Sequence, residues 1–140
     1  MTENFKIIGS FIKDMSSETP DAPTYIFVRD KISKYRLNID INSKAVKDGI
    51  IEVNTIIKFL DQPEILKKAY FEITYTSIVK VDEKVSDKKE MEKIILCDVP
   101  NKIYPNLERI FLNLLTDSGY PGIKFEKKVD FTELYKQRAN

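Results

Sequence analysis

The chain has 140 residues, 42% hydrophobic and 32% charged, proportions that suit one soluble domain able to fold around its own core. Its 23 Lys and Arg against 22 Asp and Glu leave a net charge of +1, so no whole-protein field draws it to nucleic acid or acidic lipid. There is no histidine and Cys97 is the only cysteine, which excludes an intrachain disulfide, a Cys-based zinc site and Ser-His or Cys-His nucleophile pairs.

The four glycines form neither G-x-G-x-x-G nor a Walker loop, and no EF-hand spacing appears. No cofactor or metal is expected, and catalysis would have to rest on Asp, Glu, Lys, Tyr or Cys97. Composition therefore points away from an enzyme. The start, MTENFKIIGSF, carries no long apolar stretch, and no run approaches the length of a membrane span, so the chain reads as cytoplasmic without stable membrane insertion.

In chain order, residues 5–13 have a β-rich makeup and predict a first strand, with Gly9 marking a bulge or bend. Residues 14–27 hold Pro20 and Pro23, which cannot donate ladder hydrogen bonds, and read as a long irregular or extended crossover. Residues 34–41 alternate, with Tyr35, Leu37, Ile39 and Ile41 on one face and Lys34, Arg36, Asn38 and Asp40 on the other. That is a strand with one wet face. The polar stretch 42–49 ends in Asp48-Gly49, a turn pair. Ile51, Val53, Thr55, Ile57 and Phe59 form the apolar face of the next strand, which Asp61-Gln62-Pro63 stops. Ala69, Phe71, Ile73, Tyr75, Ser77 and Val79 form another, with Tyr70, Glu72 and Thr74 opposite.

Residues 80–93 mix charges that nearly cancel and read as a solvated loop or exposed helical turn. From Ile103 to Leu115 the period becomes helical: Ile103, Leu107, Ile110, Phe111, Leu114 and Leu115 share a stripe, with Pro105 suited to the first turn and Gly119 to a left-handed cap. Tyr120-Pro121-Gly122 is a turn. A short amphipathic helix follows with Phe131, Leu134 and Tyr135, Asp130 as N-cap and Glu133 at its third position. Four strands and then helices predict an α+β fold with an antiparallel sheet, in one domain over residues 1–140. One helix stripe covers one face of such a sheet. Whether the stripe packs on its own sheet or on another copy stays open from the pattern alone.

The segment 11–23, FIKDMSSETPDAP, resembles the signature of SecB, the bacterial protein-export chaperone family, through Phe11, Lys13, Asp14, Ser16, Glu18, Pro20, Ala22 and Pro23. The likeness continues through Phe27 and Asp30, Leu37, Ile39 and Asp40, then Pro100-Asn101, Pro105 and Arg109, Gly119 with Tyr120-Pro121, and Phe131 with Leu134-Tyr135. It covers nearly the whole chain.

The resemblance implies a four-stranded antiparallel sheet with a long and a short C-terminal helix, assembled as a homotetramer, a dimer of dimers, with the long helix at the interface. It implies unfolded preproteins held in apolar surface grooves and passed to the SecA ATPase, which engages the wet face of the sheet. No nucleotide is implied for the chaperone itself. By position, Asp14, Glu18 and Glu72 match the acidic residues of the SecA contact, and Tyr70 stands in that contact where the family more often has Leu. Tyr25, Ile26 and Phe27 match one groove wall, with Phe131, Leu134 and Tyr135 facing it. Leu107, Phe111 and Leu114 match the oligomer interface or the core. Cys97 reads as a buried small hydrophobe. The chain departs from the family's pattern at Lys31, where an aromatic is common, at Lys128, where proline is usual, and in its near-neutral charge where the family is typically acidic.

A client-binding surface of this kind uses non-directional apolar burial and backbone hydrogen bonding, which do not depend on client sequence. The alternatives are a SecB-like chaperone dedicated to one client, such as an antitoxin, and a small α+β enzyme or ligand-binding domain. The last would need a closed pocket with convergent polar groups.

Overall fold

A computed structural model describes residues 4–60, 68–125 and 129–139. Strands β1 (Phe5–Glu18), β2 (Arg36–Lys47), β3 (Ile50–Leu60) and β4 (Tyr70–Val81) form an antiparallel sheet in the order β1-β4-β3-β2. Helix α1 (Ala22–Lys31) follows β1. After β4 come α2 (Lys88–Lys93), a widened π-type turn (Ile94–Asp98), α3 (Val99–Asp117) and α4 (Phe131–Ala139). The α+β class, the four strands and both C-terminal helices agree with the sequence reading. The stop expected at Asp61-Gln62-Pro63 lies outside the described residues, as does Lys128.

Three expectations need correction. The segment 14–27 is not an irregular crossover: β1 runs on to Glu18, and 22–31 is a helix. Pro23 sits in its first turn, where its missing N–H costs nothing, and Asp21 caps it by accepting from the Thr24 N–H at 2.8 Å. The strand read over 34–41 does not stop before the polar residues 42–47. They continue β2, pairing down to Lys47, and only Asp48-Gly49 turns, with Gly49 at φ +73°. Pro105 lies inside α3, because the helix opens earlier, with Pro100 in its first turn.

The inner face of the sheet is the core face. Val53, Ile57, Phe59, Phe71, Ile73, Tyr75 and Val79 are buried there. Helix α3 lays Ile103, Leu107, Phe111 and Leu115 on this face, the positions its periodicity marked. Leu107 and Phe111 are fully buried within this one chain, so neither has surface left for a second copy, and both are core residues rather than interface residues. Leu114 keeps partial exposure.

Helix α3 ends in a paired closure: the Tyr120 N–H donates to the Leu115 carbonyl at 2.9 Å and the Gly119 N–H to that of Thr116 at 3.1 Å. Gly119 takes the left-handed conformation this closure needs, at φ +104°. Tyr120 turns inward and meets Phe71 edge-on and Tyr25 of α1.

The outer face is polar and uncovered by helices. Thr76 donates to Asn54 at 2.6 Å, and Asn54 donates to Asn42 and to Glu52, each at 2.9 Å. This ladder satisfies side chains near the middle of a face that the helix stripe cannot reach.

Candidate client and partner surfaces

Register gathers the acidic residues. In the antiparallel pair of β1 and β4, Glu18 lies opposite Tyr70, Ser16 opposite Glu72 and Asp14 opposite Thr74. Directly opposed residues share a face, and same-face neighbours along a strand are about 7 Å apart. Asp14, Glu18, Tyr70 and Glu72 therefore lie together at one end of the outer face, although more than 50 residues separate the strands in sequence. Tyr70 is 51% exposed. Glu72 is not a free acid: Lys58, across the ladder on β3, pairs with it at 3.6 Å. The same row that holds Asp14 and Thr74 continues through Ile56 to Asp40 on the far edge, an acid the sequence reading put on the wet face but not with the other three.

The apolar residues fall into two places. Helix α4 is capped by Asp130, which accepts from the Glu133 N–H at 3.1 Å. Its Phe131 is buried edge-on against Tyr104, while Leu134 stays 45% exposed. An open depression of about 370 Å³ runs between α4 and β2, lined by Ile39 and Ile41, Leu96, and Phe131, Leu134 and Tyr135. Asp40 and Gln137 add polar groups to it. Strand β2 is an edge of the sheet, so the depression borders a strand whose outer hydrogen-bonding groups meet no other described strand.

Tyr25, Ile26 and Phe27 lie elsewhere. The Tyr25 hydroxyl donates to the Gly119 carbonyl at 2.8 Å, which fixes α1 to the C-terminal end of α3. Phe131 fixes α4 near Tyr104, about 22 Å back along that helix. The two sets are thus attached near opposite ends of α3. Ile26 is 55% exposed, Phe27 is half-buried under the Lys31 ammonium, and Tyr25 is half-buried. Tyr35 is buried and exchanges hydrogen bonds with the Ala69 backbone, so it supplies no surface ring where Lys31 stands.

Sequence reasoning missed Leu96 and the part played by Ile39 and Ile41. Alternation put both isoleucines on the apolar face of β2, but nothing in it marked β2 as an edge strand. It also gave no sign that Ile8, Phe11, Ile12 and Met15 of β1 stay in water, each more than two-fifths exposed. Cys97 is buried and free, with the Asn101 amide 3.6 Å from its sulfur. Among the described residues there is no cluster of acids and Cys able to hold a metal, and no helix long and apolar enough to cross a membrane.

The family model described as the preprotein translocase subunit SecB matches residues 1–140. The chain belongs to the SecB family. A putative protein-export protein SecB from Pelagibacter ubique is 92% identical over the full length of both chains. The SecB of Rhodospirillum rubrum is 27% identical over 95% of this chain and 81% of its own, and that of Parvibaculum lavamentivorans 25% identical over 95% and 77%. Among solved structures, a Mycobacterium tuberculosis SecB-like chaperone in complex with a peptide from an antitoxin superposes with a TM-score of 0.63. It is 14% identical, over 89% of this chain and 91% of that one, a likeness of fold. SecB is a chaperone family, and the function that follows for this chain is that of a chaperone for preprotein export.

Proposed function

We propose that this SecB-family chain is a holdase without a catalytic step. It holds unfolded preproteins along the surface between α4 and the β2 edge and passes them to the SecA ATPase. The observation that carries the reading is the depression itself: open and largely apolar, set beside a strand edge that pairs with no other described strand. An extended client segment can add backbone hydrogen bonds along β2 and bury its apolar side chains against Ile39, Ile41 and Leu134. Burial contributes about 25 cal/mol per Å² from many small contacts, so the hold is broad and reversible. Tyr25, Ile26 and Phe27 extend the surface at its far end, where a long client gains by effective concentration.

The SecA contact falls on Asp14, Glu18, Tyr70 and Glu72. Their common face and shared end give an acidic strip with one exposed aromatic, the chemistry that suits a basic element of a partner. Lys58 competes for Glu72.

Homotetramer assembly, as a dimer of dimers in the cytoplasm, belongs to the same reading. Its support lies on β1, where Ile12 and Met15 oppose Tyr75 and Ile73 on the helix side of the sheet yet remain 42% and 44% exposed. Helix α3 touches this strand at Phe5, under the Lys102 ammonium, and at its end through Ser118 and Ser17, and it leaves Ile12 and Met15 open; half-buried Leu114 lies on the same helix. A second copy covering these groups would remove them from water. The test is the solution mass of the purified chain, alone and with a chemically unfolded preprotein. A mass near four chains that shifts into a stable complex with unfolded but not native client supports the reading. A monomer indifferent to unfolded chains sinks it.

A further inference from the structure

The outer face of the sheet is electrically polarised, which a net charge of +1 conceals. Asp14, Glu18, Glu72 and Asp40 lie toward one end, offset in part by Arg36 and by Lys58, which pairs with Glu72. At the other, the register places Lys6 opposite Lys80, Lys80 opposite Ile50 and Ile50 opposite Lys47, a single row across all the strands. Lys44, opposite Glu52, stands in the next row. All four lysines are exposed, and none forms a salt bridge with a described residue. Glu52 is already taken by Lys13 at 3.3 Å and by Asn54 at 2.9 Å. The remaining acids at this end, Asp48, Asp82 and Glu83, sit in the connections rather than on the face. Like charges directly opposite each other, as in Lys6 and Lys80, destabilise a sheet unless an anion lies over them.

A second observation falls at the same end. Both edge strands bulge there, between Ile7 and Gly9 on β1 and between Ala45 and Lys47 on β2. The extra residue of each bulge is an aliphatic left in water, Ile8 at 50% and Val46 at 53% exposure. Lysines on a broad face flanked by exposed aliphatics form an amphipathic patch. Lysine is a point charge on a flexible stem and suits a diffuse negative surface, whereas paired recognition of a carboxylate favours the guanidinium fork, which the patch lacks.

We propose that this end of the outer face, built on Lys6, Lys44, Lys47 and Lys80 with Ile8 and Val46, docks reversibly on an anionic lipid bilayer. The acidic end of the same face, the proposed SecA contact, then stays clear of the membrane, and the patch includes none of the residues of the proposed client surface.

Flotation of the full chain with vesicles tests it, using phosphatidylcholine alone and a phosphatidylcholine–phosphatidylglycerol mixture at low and high salt. The chain is expected to float with the anionic vesicles only, and less at high salt. The double variant Lys6→Gln/Lys80→Gln is expected to lose roughly tenfold or more of that partitioning, while binding unfolded client as the parent does. Equal flotation with neutral vesicles, none with anionic ones, or a lysine variant that floats like the parent overturns the proposal. A change in the lipid-free solution mass of that variant assigns the row to contact between copies instead, and overturns it as well.

Discussion

Tyr25 and Gly119 are mutually fitted: the tyrosine hydroxyl donates to the glycine carbonyl at 2.8 Å, and a Cβ on Gly119 would stand 2.7 Å from the ring's Cε1. The glycine also carries φ +104°, which an L side chain resists. Gly119→Ala is therefore expected to cost about 2 kcal/mol or more, from backbone strain and from displacing the ring. Tyr25→Phe loses the hydrogen bond alone, about 1 kcal/mol. Urea midpoints of the two variants check the order; a neutral Gly119→Ala would contradict the fit.

Leu107 and Leu114 separate core from contact. Leu107 is fully buried in the single chain, so Leu107→Ala is expected to destabilise by about 3 kcal/mol at every protein concentration. Leu114→Ala should cost less in stability and shift the solution mass toward smaller assemblies. Melting curves and mass measurements across a dilution series distinguish them.

The Tyr104 hydroxyl is buried and has no hydrogen-bond partner among the described residues. Burial, aided by the charge of Glu108, pushes its phenol well above the usual tyrosine range. Tyr104→Phe removes an unpaired polar atom while keeping the ring against Phe131, and a gain of about 1 kcal/mol is expected. A loss of stability would mean that the hydroxyl has a partner, such as a bound water.

The Asn54 amide, and then Lys13, hold the Glu52 carboxyl below its ordinary value of 4.5. A carboxylate favoured in the folded state adds stability that is full above its unfolded value and is lost as pH falls through the lowered folded value. The stability difference between the parent and Glu52→Gln should thus be larger at neutral pH than in acid. Denaturant titrations at both pH values check this, and a difference that does not change with pH would contradict it.

Much of the architecture is legible where one periodicity dominates. The alternation 51–59 and 69–79 and the stripe Ile103–Leu115 give strands and helix in their observed places, because one buried face fixes each register. Helix α1 is hidden because two prolines and several polar residues look like a crossover; the readable clue is Asp21 before Ala22-Pro23, a cap followed by a first-turn proline. The residues 42–47 are hidden because both faces of this edge segment are exposed, so no apolar alternation marks them. For the acidic strip the sequence offers the residues but not their meeting, which depends on β1 pairing with β4. The depression at Ile39, Ile41 and Leu96, the proposed client surface, depends on strand order, and local sequence does not encode that.

The measurement that bears most directly on the central claim is the affinity for one unfolded preprotein of the parent, Leu134→Asp and Glu72→Lys. Leu134→Asp places a charge in the open depression, and a loss of roughly tenfold or more is expected, from the apolar contact forfeited and the charge left to desolvate. Glu72→Lys, on the opposite face of the sheet, should bind client like the parent. A Leu134→Asp chain that folds and still binds unfolded preprotein with undiminished affinity would contradict the account.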